Sequence, residues 1–121
     1  MNSKTRLYSF VALVFLISTA TYSQNRNTDE VKIKTSAQCP MCKESIEKML
    51  TFERGVLHAL LDMETKKVTV RYNTRRTDPD KLRKAITKLG YDADSLQGDE
   101  KAYSDLPGCC KKPDDPDHVK H

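Results

Sequence analysis

The four cysteines of this chain fall into two pairs, Cys39 and Cys42 in Cys-Pro-Met-Cys and the adjacent Cys109 and Cys110 near the C-terminus. Two thiols three residues apart, followed by a helical sequence, can close on one soft metal ion. The thiolate is the metal-binding species, and the unpaired N–H groups and positive dipole end of a helix N-terminus stabilise that anion. Pro40 suits the first helical position, because it has no N–H to lose and its φ is already near helical. Cys39 therefore reads as the N-cap and Cys42 as a first-turn residue, with both sulfurs facing one small space. The second pair does not bridge itself: neighbouring Cα atoms lie about 3.8 Å apart, and an unstrained disulfide wants about 4.4 Å or more. Cys109 and Cys110 are partners for something else.

The elements that must position these thiols follow from hydrophobic period. Val31, Ile33 and Thr35 alternate with Lys32, Lys34 and Ser36, the signature of a strand with one buried face that runs into the cysteine loop. From 40 to about 53, Cys42, Ile46, Met49 and Leu50 recur at helical spacing, and Gly55 ends that helix. Residues 56–63 and 67–72 read as two strands burying Ala59, Leu61 and Met63, then Val68, Val70 and Tyr72, with Glu64-Thr65-Lys66 as the hairpin. A second helix starts with Asp78 as N-cap and Pro79 at the first position, carries Leu82, Ala85, Ile86 and Leu89 inward, and stops at Gly90. Residues 91–97 read as a weak final strand. The order β-α-β-β-α-β with right-handed crossovers gives an α+β ferredoxin-like sandwich, two helices on one face of a four-stranded antiparallel sheet. In that topology Cys39, Cys42, the Glu64 hairpin and Tyr91 share one edge.

The N-terminus reads as an export signal over residues 1–23: Lys4 and Arg6 precede an apolar run from Phe10 to Ile17, and Thr21-Tyr22-Ser23 supplies small residues at the cleavage positions. The run is short of the roughly 20 apolar residues of a spanning helix. The expected product, residues 24–121, is periplasmic or secreted, is not inserted in the membrane, and comprises a linker (24–29), one domain (30–97) and a Cys-containing extension (98–121). Without Lys4 and Arg6 it holds 19 of the 21 basic residues against 17 acidic ones, a formal +2 that excludes an argument for nucleic acid. The charge is uneven, basic over 66–88 and acidic over 91–117, a pattern that solvated faces explain.

Residues 30–97 resemble the heavy-metal-associated domain, the fold of copper chaperones, periplasmic mercury-binding proteins and the N-terminal modules of metal-pumping P-type ATPases. The resemblance is carried by the C-x-x-C after strand one, Gly55-Val56, Lys67-Val68-Thr69-Val70-Arg71-Tyr72 and Lys88-Leu89-Gly90-Tyr91. It implies that Cys39 and Cys42 are metal ligands and that Tyr91 stands beside the metal loop. Where the family places a methionine two residues before the first cysteine, this chain has Ala37.

The extension predicts a short helix over 99–106 burying Ala102, Tyr103 and Leu106, ended by Pro107-Gly108. A segment of that length can fold back to the metal edge. There Cys109 and Cys110 would complete a three- or four-sulfur site and shift preference from Cu(I) or Hg(II) towards Zn(II) or Cd(II); a mobile tail or an intermolecular disulfide is the alternative. His118 and His121 read as solvated, Met41 as a partly exposed loop residue, and His58 as outward-facing. The expected function is a non-enzymatic carrier of Cu(I), with Hg(II) or Zn(II) behind it, which passes the ion by thiolate exchange to a Cys-bearing partner such as a metal-transporting ATPase. It is expected as a monomer, with a metal- or disulfide-bridged dimer as the variant. The rival is a periplasmic thiol–disulfide oxidoreductase using the same Cys-Pro-Met-Cys.

Overall fold

The computed structural model describes residues 27–120; the export signal expected at 1–23 lies outside the described residues. Three strands, β1 (Thr28–Lys34), β2 (Val56–Asp62) and β3 (Lys67–Asn73), form an antiparallel sheet in the order β1-β3-β2. The register sets Val31 opposite Val70 and Ile33 opposite Val68 on one side of β3, and Ala59 opposite Val70 and Leu61 opposite Val68 on the other. One face of the sheet is thereby apolar, as the period-two pattern requires.

Helices α1 (Pro40–Phe52) and α2 (Pro79–Lys88) cover that face. Ile46 and Leu50 of α1 and Leu82 and Ile86 of α2 are fully buried in one cluster with Ile33, Leu61, Val68 and Val70. Both helices begin with proline in the first turn; Asp78 caps α2 by accepting from Lys81 N–H, whereas Cys39 caps α1 by backbone geometry. A polar clasp fixes α1 on β2, where Glu47 Oε1 accepts from Leu61 N–H at 2.7 Å and is paired with Lys43 at 2.9 Å. Among the described residues no helix is long and apolar enough to cross a membrane.

The fourth strand is reduced to a bridge. Ala93 pairs with Thr35 just beyond β1 and with Leu96, which puts the bridge at the free edge of β1. Asp94 stops it from growing: with φ +52 it turns the chain away, and its Oδ1 accepts from Lys34 N–H at 2.9 Å in place of a backbone carbonyl.

Beyond the sandwich the chain forms α3 (Glu100–Ser104) and a 3₁₀ turn, Gly108–Cys110. The helix is shorter than the sequence pattern, and Ala102, Tyr103 and Leu106 are half-buried. Its seat is made by Gly90, at φ +97, where a Cβ would lie 2.5 Å from Tyr103 N. Only glycine meets both demands, the left-handed backbone and the close approach.

Candidate metal site

The cysteine loop sits where β1 hands over to α1. Thr35 N–H and its hydroxyl both bond the Lys66 carbonyl, at 2.8 and 3.0 Å, and Lys66 Nζ reaches Gln38 Oε1 at 3.0 Å, so the hairpin braces the loop. On the other side Ser36 Oγ accepts from Asp92 N–H at 2.9 Å. Cys39 is half-buried and Cys42 fully buried in the first turn of α1. That turn carries no acidic residue, so its positive end acts on the sulfurs alone.

The extension returns to this point. Cys109 and Cys110 are both buried, at 7% and 1% exposure, and both join the core cluster with Ala37 and Tyr91. Four free thiols gather here: Cys39 and Cys42 Sγ are 3.2 Å apart, Cys42 and Cys110 2.7 Å, Cys39 and Cys109 3.3 Å, and Cys39 and Cys110 3.7 Å. Cys39, Cys42 and Cys110 all lie within 4.8 Å of one another, spacing that one metal ion can span.

Their electrostatics diverge. Burial pushes the Cys39 thiol up, but the N–H of Cys42 and the thiols of Cys42, Cys109 and Cys110 outweigh it and bring its pKa down to about 7. Burial, then the hydrogen bond with Cys42, holds the Cys110 thiol well above its ordinary value, and the Cys39 contact, then burial, raises Cys109. Tyr91 is 1% exposed; burial, and then its hydrogen bond with Cys110, keeps the phenol protonated. Cys39 is thus the thiol poised to ionise first, and it faces a surface cavity of about 310 Å³ also lined by Cys109 and His118.

A polar network holds the extension down. Lys112 Nζ pairs with Asp92 Oδ2 at 2.8 Å, while Tyr103 Oη accepts from Lys112 N–H at 2.9 Å and donates to Asp115 Oδ2 at 2.8 Å. Asp92 Oδ1 also accepts from Gly98 N–H. None of Gly98, Asp92, Tyr103 or Lys112 stands out in the sequence as part of the site; the only trace is the vicinal cysteine pair, which asks for a partner. Met41, 52% exposed, and His58 face solvent, and His118 lies with Nδ1 2.8 Å from the Lys111 carbonyl. His121 lies outside the described residues.

Residues 36–92 match the profile of the heavy-metal-associated domain. Those residues form a heavy-metal-associated domain. Copper-exporting P-type ATPases of Staphylococcus aureus strains JH9 and Newman are similar to it, 40% identical over 72 residues and 42% over 59. Those alignments take in 60% and 49% of this chain but only 9% and 7% of the ATPases, so the chain spans less than a tenth of those relatives. Among solved structures, a CopZ metallochaperone superposes with TM-score 0.52 at 26% identity, over 54% of this chain and 98% of that one. Oxidised MerP from Ralstonia metallidurans CH34 gives 0.53 at 25%, over 55% and 94%. The heavy-metal-associated domain is therefore homologous to copper chaperones and copper-ATPase modules, typically non-enzymatic metal carriers, and it bears a cysteine-rich C-x-x-C site. The matched segment ends before Cys109 and Cys110.

Proposed function

We propose that the protein is an exported carrier of a soft metal ion, Cu(I) first and Hg(II) or Zn(II) after it. In this reading it binds the ion through Cys39 and Cys42, with Cys109 and Cys110 adding to the thiolate set. The observation that carries the reading is the convergence of four reduced sulfurs at the N-terminus of α1, three of them buried. Thiolates select thiophilic ions, and a sulfur-lined pocket has little to offer a hard cation. The similarity to copper-exporting ATPases and to a metallochaperone supports copper.

Transfer proceeds by ligand exchange. Cys39, half-exposed and lowest in pKa, is the sulfur an incoming thiolate of a Cys-bearing partner, such as a metal-transporting ATPase, reaches first. The ion passes through a shared intermediate with no change of oxidation state, and in this reading the protein hands on its cargo rather than catalysing a reaction. The export-signal pattern of residues 1–23 supports a periplasmic or secreted location.

Anaerobic titration of the reduced chain with Cu(I), Zn(II) and Hg(II) against a competing chelator tests this. The reading expects tight binding that is lost in Cys39→Ser and Cys42→Ser. Turnover in a disulfide-reduction assay, with metal affinity no better than that of a small dithiol, would instead establish the oxidoreductase.

A further inference from the structure

The sulfurs are not arranged as a tetrahedron. Cys39, Cys42 and Cys110 form one triangle, with sides of 3.2, 2.7 and 3.7 Å. Cys39, Cys109 and Cys110 form a second, with sides of 3.3, 3.9 and 3.7 Å. Cys109 is close to Cys39 and Cys110 yet does not belong to the set mutually within 4.8 Å, so it stands farther than that from Cys42. The two triangles share the Cys39–Cys110 edge and point away from each other, a flattened diamond with Cys42 and Cys109 at its tips.

A single tetrahedral ion needs six equal sulfur–sulfur edges, about 3.8 Å when Zn–S is about 2.3 Å. Here the Cys42–Cys109 diagonal exceeds 4.8 Å, too long an edge for that shape. Each triangle by itself is a three-sulfur set of the kind d¹⁰ Cu(I), which takes few and soft ligands, accepts. We propose that the diamond binds two Cu(I) ions per chain, one in each triangle, with Cys39 and Cys110 bridging them and Cys42 and Cys109 terminal. The proposal rests on the soft-metal reading above and specifies its cargo.

The chemistry balances without redox change: four thiols and two Cu(I) give a Cu₂(thiolate)₄ unit of charge −2 and release four protons. That charge lies at the positive end of the thirteen-residue helix α1, with no acid in the first turn, and next to the Tyr91 hydroxyl. The extension contributes one bridging and one terminal sulfur. The matched domain alone, ending at residue 92, lacks both and is left with the Cys39–Cys42 pair.

Native mass spectrometry of the reduced chain, titrated anaerobically with Cu(I) supplied as its acetonitrile complex, reads the stoichiometry, and copper X-ray absorption reads the neighbours. The expected result is a monomer saturating at two Cu(I), with three sulfurs and a copper–copper shell around each ion. Cys109→Ser, checked for folding by circular dichroism, should fall to one Cu(I) and lose that shell. Saturation at one Cu(I) per chain, two coppers found only in a dimer, two coppers without the shell, or two coppers retained in Cys109→Ser would each overturn the proposal while leaving the carrier reading intact. No Cu(I) binding at all would overturn the proposal and the choice of copper together, and binding of none of Cu(I), Hg(II) and Zn(II) would remove the carrier reading as well.

Discussion

The sandwich and its extension reach the same sulfur site by opposite means. In the sandwich, position is set by apolar burial: Ile33, Ile46, Leu50, Val68, Val70, Leu82 and Ile86 are all fully buried, and the strand ladders follow from that. In the extension the helix α3 buries no residue completely, and the segment is held by one glycine seat, a Tyr103–Asp115–Lys112–Asp92 network and the thiols themselves. Apolar burial is cooperative and hard to undo locally, whereas a few half-exposed polar links open at low cost. Half of the thiols thus sit on an apolar frame and half on a strap held largely by polar links, which suits a site that must close on an ion and later release it.

Breaking the frame should have the largest effect. Leu50→Ala, which empties a fully buried site between α1 and the sheet, is expected to cost about 2–5 kcal/mol in denaturant unfolding and to weaken metal binding with it. Gly90→Ala attacks the seat of the strap. Its left-handed backbone costs on the order of 1–2 kcal/mol with a Cβ, and the clash with Tyr103 N should free the extension, seen as faster proteolysis after residue 98 with the sandwich still folded. Tyr103→Phe removes both hydrogen bonds of the Tyr103 hydroxyl and should cost about 0.5–1.5 kcal/mol for each, read as the same proteolysis in milder form.

The mildest perturbation, which changes no residue, is the titration of Cys39. Its folded pKa, about 7, is depressed below the ordinary thiol value of 9.0, so its contribution to metal-free stability is fully present above pH 9 and is lost as pH falls through 7. Alkylation of Cys39 in the metal-free protein should accordingly rise with a midpoint near pH 7. A midpoint at the value of an ordinary thiol would remove the helix terminus and the neighbouring sulfurs as its activators.

The frame was legible in the sequence because its determinants are local. The alternation around Val31 and Val68, the Asp78-Pro79 and Cys39-Pro40 helix starts and the Cys-Pro-Met-Cys spacing each act within a few residues. The final strand, weak already in the sequence, shrinks to a bridge because its alternation competes with Asp94, whose side chain takes the place of the ladder. The strap was legible only as a possibility. Its course depends on contacts across long stretches of chain, Gly90 with Tyr103 and Asp92 with Lys112, which leave no periodic trace. The buried Ala37 and Ala93 escaped for a related reason, since small residues in loops carry no hydrophobic pattern.

The most direct test of the central claim, that loop and extension build one thiolate site, is to count thiols shielded by the bound ion. The reduced, Cu(I)-loaded chain is treated with an alkylating agent and the modified cysteines are located by mass spectrometry. The account predicts that Cys39, Cys42, Cys109 and Cys110 are all protected, and all modified once copper is stripped and the chain unfolded. Full modification of Cys109 and Cys110 in the loaded protein, with only Cys39 and Cys42 spared, would contradict it.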